Sequence, residues 1–150
     1  MKYLKSNFTL IEMLIVVIIL SILIGISIPN IKKSIDNFNL ESFVNDIYYL
    51  CLYLKESAIS KGEQFSLYIN KDTEPLEFQP LYKEEDKLVN FRKPYKLPSG
   101  ITFLIEPKDK TDINFYPDGS CDPIVITFQN NSKKKLSLVI KGSNCKIQVK

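Results

Sequence analysis

The sequence predicts an α+β fold: a long N-terminal α-helix, membrane-spanning in its first half and amphipathic in its second, packed on a mostly antiparallel β-sheet. Three observations carry this. The stretch from Phe8 to Ile28, FTLIEMLIVVIILSILIGISI, holds a single charge, Glu12, and reaches the roughly 20 residues that a helix needs to cross a bilayer. Beyond it, apolar residues recur mostly at steps of three and four as far as Ala58, the helical period. From Phe65 onward they fall into short β-branched and aromatic runs separated by turn residues, the pattern of strands.

The residues before the span, MKYLKSN, carry Lys2 and Lys5 and no acid, which puts the N-terminus in the cytoplasm and the remainder outside. Pro29 follows the span; it lacks a backbone donor and is expected to bend or loosen the helix there. The amphipathic stripe then reads Ile31, Ile35, Phe38, Phe43, Ile47, Leu50 or Cys51, Leu54 and Ala58, with Lys32, Asp36, Asn37, Glu41 and Asp46 on the other face. Gly62 is a natural C-cap, with Lys61 beside the negative end of the helix. A compact chain of this length cannot bury so long a helix, so its first half belongs in a membrane or in a bundle of like helices. Strands are expected at Phe65–Ile69, Leu76–Tyr82, Ile101–Ile105, Ile113–Phe115, Ile124–Phe128, Leu136–Ile140 and Lys146–Val149. Pro80 suggests that the second of them is an edge strand. Lys83 to Lys87 reads as a charged loop and Lys93 to Gly100 as a connection.

Net charge is +3, from 20 basic and 17 acidic residues, which argues against nucleic acid as the main partner. The absence of His excludes a His-based triad and a His-ligated metal. No Gly-rich phosphate loop, metal-ligand spacing or nucleophile motif is present, so neither a cofactor nor catalysis is expected. Glu84-Glu85-Asp86 is a solvated loop or a weak cation site. Lys133-Lys134-Lys135 is a solvated hairpin tip or a phosphate-backbone contact that Lys141, Lys146 and Lys150 could extend. The three cysteines are Cys51, Cys121 and Cys145; an oxidising compartment permits one disulfide and leaves one thiol over. The expected bridge is Cys121–Cys145, closing a loop around the last hairpin, while Cys51 packs on the apolar helix face as a small hydrophobe.

Glu12 stands apart. A carboxylate in hydrocarbon costs roughly 2–3 kcal/mol or more, so it either lies shallow enough to reach the headgroups or has a function. The words around it, SNFTLIEMLIVVIILSIL followed by Pro29, resemble the N-terminal signature of type IV pilins and of the pseudopilins of type II secretion. A Sec signal peptide fits less well, because the apolar run is longer than the usual h-region of about 7–15 residues and no A-x-A-like site follows. The resemblance implies a leader, 1–7, that prepilin peptidase removes by cutting between Asn7 and Phe8, with methylation of the new N-terminus. The family usually has Gly before the cut; here Asn7, also tolerant of left-handed backbone, takes its place. It further implies a transmembrane and assembly helix at 8–28, an amphipathic helix at 29–62 and a C-terminal β-sheet domain at 63–150. Glu12 would pair with the N-terminal amine of a neighbouring subunit, a buried carboxylate being tolerated when a cation meets it.

The tail narrows the resemblance. Ile113 to Ser120 reads INFYPDGS, a strand pair then ends at Val139-Ile140-Lys141-Gly142, and a final strand follows. This is similar to the GspH/FimT group of minor pseudopilins, in which an F-x-P-x-G element precedes a hairpin; Pro117-Asp118-Gly119 is also good turn chemistry in any protein. The implied function is that of a minor subunit of a type II secretion pseudopilus or a type IV pilus, supporting secretion or pilus assembly. The implied partners are other pilins, prepilin peptidase, the inner-membrane assembly platform and membrane lipid. The implied location is the inner membrane, crossed once, with the C-terminal domain periplasmic. Two other readings are a FimT-like minor pilin that binds DNA for natural transformation through Lys133, Lys134 and Lys135, and a bitopic membrane-anchored protein or enzyme.

Overall fold

The structure is a computed structural model that describes residues 9–84, 87–90 and 92–150, with the backbone alone at 26–30, 84 and 88. The chain divides into two compact units at Ile35/Asp36. One helix, α1 (Leu10–Lys61), contributes to both. Thr9 starts it: its Oγ1 accepts from the Glu12 N–H at 3.3 Å, and its carbonyl accepts from Glu12 and Met13 at 3.1 and 3.2 Å. Thr9 and Glu12 have the T-x-x-E spacing of a capping box. The helix is continuous through Pro29, so the lost donor does not end it. At the far end the Gly62 N–H bonds to the Ala58 carbonyl at 3.0 Å with φ +69°, a left-handed cap that a β-carbon would strain.

In the second unit the described residues form nine strands in two sheets. They are β1 (Phe65–Asn70), β2 (Glu77–Glu84), β3 (Lys87–Asn90), β4 (Tyr95–Lys96), β5 (Ile101–Glu106), β6 (Asp112–Phe115), β7 (Ile124–Asn130), β8 (Lys135–Lys141) and β9 (Lys146–Val149). One sheet has the order β3-β2-β1-β6 with β4 also on β2; the other runs β5-β7-β8-β9; every pairing is antiparallel. β2 runs on through Lys83 and Glu84 and β3 starts at Lys87, so strand occupies both ends of the stretch expected as a charged loop, and β4 lies within the expected connection.

Pro80 corrects the expectation of an edge. β2 is flanked on both sides, by β1 along its length and by β3 and β4 on its other edge. The Lys83 N–H points across to the Gln64 carbonyl on the β1 side, so Pro80, three residues earlier, faces the other way. There β4 pairs with residues 77–78 and β3 with residues 81–84, and the missing donor falls in the gap between them.

The buried helix stripe is Leu40, Phe43, Val44, Ile47, Leu50, Cys51, Leu54 and Ala58. It begins later than expected. Ile31, Ile35 and Phe38 are 58, 53 and 69% exposed; Phe38 is five residues before Phe43, about 140° around the helix from it. Phe43 meets Phe78 and Phe128 edge-on at 5.7 and 5.6 Å. Phe78 lies 6.3 Å from Phe103 and 6.0 Å from Phe128, so helix and both sheets share one aromatic cluster. The alternation along β7, with Ile124, Ile126, Phe128 and Asn130 inward, is the period-two pattern of a half-buried strand.

Candidate functional site

In the first unit every described side chain from Thr9 to Gly25 is exposed, Leu10 by 86% and Ile11 by 66%. Exposed apolar surface on this scale marks an interaction surface. Glu12 is the one ionisable residue between Thr9 and Ile31. It sits in the first turn, where the positive end of the helix dipole favours a carboxylate. Ser21 satisfies its own hydroxyl by donating to the Val17 carbonyl one turn back, at 2.7 Å. Among the described residues no helix is long and apolar enough to cross a membrane. The apolar run with described side chains stops at Gly25, whereas the expected span extends from 8 to 28. Asn7 and Phe8 lie outside the described residues, as do Glu85 and Asp86.

The lysine cluster sits on the turn between β7 and β8, and that turn is tied to the helix. The Asn130 Nδ2 donates to Asn37 Oδ1 at 2.8 Å, and Asn130 Oδ1 accepts from the Lys134 N–H at 2.9 Å. The Ser132 hydroxyl donates to Asp36 at 3.3 Å, and the Lys134 ammonium pairs with Glu41. Lys134 is therefore turned to the helix, leaving Lys133 and Lys135 exposed. Lys141 and Lys146 face each other at the opposite end of β8, roughly 20 Å along the strand from Lys135. Lys150 pairs with Ser137, two residues from Lys135, so Lys135, Lys141, Lys146 and Lys150 lie along one face of β8 and β9, while Lys134 is held by Glu41.

β6 and the residues flanking it carry a second polar constellation, centred on Asn114, which the sequence reading passed over. The Asn114 amide spends its hydrogen-bonding capacity in four contacts. Its oxygen accepts from Gln64 at 2.9 Å and Ser66 at 2.6 Å, and its nitrogen donates to Asp112 and Asp122, both at 2.9 Å. Lys110 pairs with Asp122 at 3.2 Å, and the Tyr116 hydroxyl donates to it at 3.3 Å. Burial pushes the Asp122 carboxyl up, but the Asn114 and Lys110 hydrogen bonds and the Lys110 charge outweigh it and hold the group below the usual carboxylate range. Burial and then the Asp122 charge raise the Tyr116 phenol. A polar residue at alternate positions of a short strand was the available signal.

Cys121 follows the turn after β6 and is joined to Cys145, their Cα atoms 5.1 Å apart. Cys121 bridges to Phe115 of β6, and Cys145 lies between β8 and β9, so the bond links the two sheets. The Cys121 N–H donates to the Gly142 carbonyl at 3.1 Å. A β-carbon at Gly142 would stand 3.1 Å from the Cys121 carbonyl and 3.3 Å from the Pro123 ring; the close approach accounts for glycine after β8. Cys51 is a free thiol, fully buried, and burial pushes its pKa up to about 12.

Neither a scan of protein-family models nor a sequence search of curated proteins found a match. Solved structures do match. The minor pseudopilin EpsH of the type 2 secretion system of Vibrio cholerae superimposes with a TM-score of 0.62 at 15% identity, over 75% of this chain and 96% of that one. The type IV minor pilin FimU of Pseudomonas aeruginosa PAO1 superimposes with a TM-score of 0.63 at 14% identity, over 76% and 90%. The fold is the pilin fold. It is shared with subunits of both systems, and identity this low speaks to the fold alone. On it, the Asn130 clamp, the Asn114 constellation and the inter-sheet disulfide all lie in the second unit, and Glu12 in the first.

Proposed function

We propose that this protein is a minor subunit of a type IV pilus or a type II secretion pseudopilus, with a structural and not a catalytic role. One observation carries the reading: the minor-pilin fold occurs on a chain whose N-terminal helix exposes an unbroken apolar surface with a lone carboxylate in its first turn. Residues 8–28 anchor the chain once in the inner membrane, with the β-sheet domain on the periplasmic side. Prepilin peptidase cuts between Asn7 and Phe8, and the new amine is methylated. In the assembled filament the amine at Phe8 meets Glu12 of a neighbour. Unpaired in lipid, either charge costs several kcal/mol, so entry beside another subunit is favoured over a lone one.

Two measurements test this. Intact mass of the membrane-extracted protein should show loss of residues 1–7 and a methyl group; an uncut chain in cells with active peptidase refutes processing. Glu12→Ala should be inserted and cleaved yet recovered poorly with filaments. Recovery equal to wild type would reduce Glu12 to a shallow membrane carboxylate.

A further inference from the structure

The outer face of the β3-β2-β1-β6 sheet holds a depression that the assembly role does not use. Its cause is a side-chain size pattern. Ser66 lies at the centre, opposite Leu81 on β2 and Asn114 on β6. Gln64 and Tyr68, two residues away along the chain, share its face, and Tyr68 stands opposite Asp112. One small residue ringed by longer ones leaves a hollow of about 330 Å³, at the small end of the roughly 300–1,000 Å³ typical of ligand pockets.

The walls are held in place. Ser66 is 3% exposed and gives its proton to Asn114, as does the Gln64 amide. Asn114 in turn holds Asp112 at one carboxylate oxygen. Asp112 and Gln64 line the hollow and bring it a carboxylate and an amide carbonyl as acceptors. Tyr68 adds a phenol hydroxyl, and its ring and Leu81 supply apolar surface. Asp112 works against an anion and Lys83, on the rim, against a cation. Fixed planar acceptors, a phenol and an apolar face suit a ligand rich in hydroxyl donors with one C–H face.

We propose that this hollow, floored by Ser66 and walled by Gln64, Tyr68, Asp112 and Asn114, binds a neutral sugar ring. The function goes beyond subunit assembly and does not depend on it. The test uses the full-length protein in a phosphocholine detergent, which has no sugar headgroup. Glucose, galactose and N-acetylglucosamine are titrated separately, with glycine and alanine as a contrasting class, and the side-chain amide signals of Gln64 and Asn114 are followed by NMR. At least one sugar should shift both signals saturably. Ser66→Leu, which fills the hollow, and Tyr68→Ala, which removes a wall, should each weaken binding by about tenfold or more. If Ser66→Leu does not fold, Tyr68→Ala decides alone. The proposal is overturned if no sugar gives a saturable shift, if only the amino acids do, or if a folded variant binds as wild type does.

Discussion

Replacing Asn130 with alanine separates what holds the β7–β8 hairpin to the helix from what merely touches it. Asn130 is 4% exposed and makes two side-chain hydrogen bonds, to Asn37 at 2.8 Å and from the Lys134 N–H at 2.9 Å. Each such neutral bond is worth about 0.5–1.5 kcal/mol net, and a buried partner left unpaired adds about 1–3 kcal/mol. Asn37 and Lys134 are only partly buried, so water recovers part of that second cost, and a total near 2–3 kcal/mol is expected. The neighbouring Lys134–Glu41 pair has side chains 37 and 50% exposed; such pairs contribute roughly 0–1 kcal/mol. Asn130→Ala should therefore destabilise more than Glu41→Ala, although Glu41 makes the ionic contact. Urea denaturation of the full chain in micelles, read by far-UV circular dichroism, measures both. With an m-value of about 2 kcal/mol/M, Asn130→Ala should lower the midpoint by roughly 1–1.5 M. Combined with Asn37→Ala, it should show a coupling of about 1 kcal/mol. A loss below about 0.5 kcal/mol for Asn130→Ala, or strict additivity with Asn37→Ala, would refute the assignment of the clamp to this buried amide.

Cys145→Ser should cost about 3.5 kcal/mol by the chain-entropy model for a separation of 24 residues; an unchanged denaturation midpoint without reductant would count against it. Cys51 should resist iodoacetamide in the folded protein and react once unfolded, since its thiol is buried and its pKa raised to about 12; labelling under native conditions would contradict its burial. The folded pKa of Asp122 lies below its ordinary value, so its contribution to stability is fully present above the unfolded carboxylate pKa of about 3.9 and is lost as pH falls through the folded value. Asp122→Asn should therefore be less stable than wild type at pH 7, with the gap closing only below about pH 4; a gap that does not depend on pH would assign the effect to packing. Leu54→Ala, at a fully buried helix position, should cost about 2–5 kcal/mol, whereas Ile18→Ala, half exposed in the first unit, should leave the midpoint within about 0.5 kcal/mol.

Local chemistry determined a good deal of this protein from its sequence alone. The three-and-four spacing through Ile47 and Leu54, and Gly62 beyond Lys61, set the existence and end of α1, because helical period and left-handed capping are properties of neighbours in the chain. β-branched runs bounded by turns placed seven of the nine strands among the described residues, and FTLIE with its basic leader pointed to the pilin fold. The tertiary structure decided what depends on residues far apart in sequence. Phe38 reads as core in a spacing pattern, but the sheets present their aromatic cluster to Phe43, and Phe38 stays in solvent. Pro80 reads as an edge, but the interruption between β3 and β4 lets an interior strand accommodate it. Lys134 reads as one of three free cations until the fold brings Glu41, 93 residues earlier, to meet it. Asn114 carries no sequence signal beyond polarity; its role arises because β6 pairs with β1 and brings Gln64 and Ser66 to its amide. Hydrogen bonds and packing between distant segments are set by strand order, and strand order is a property of the whole chain's buried surface, not of any local stretch.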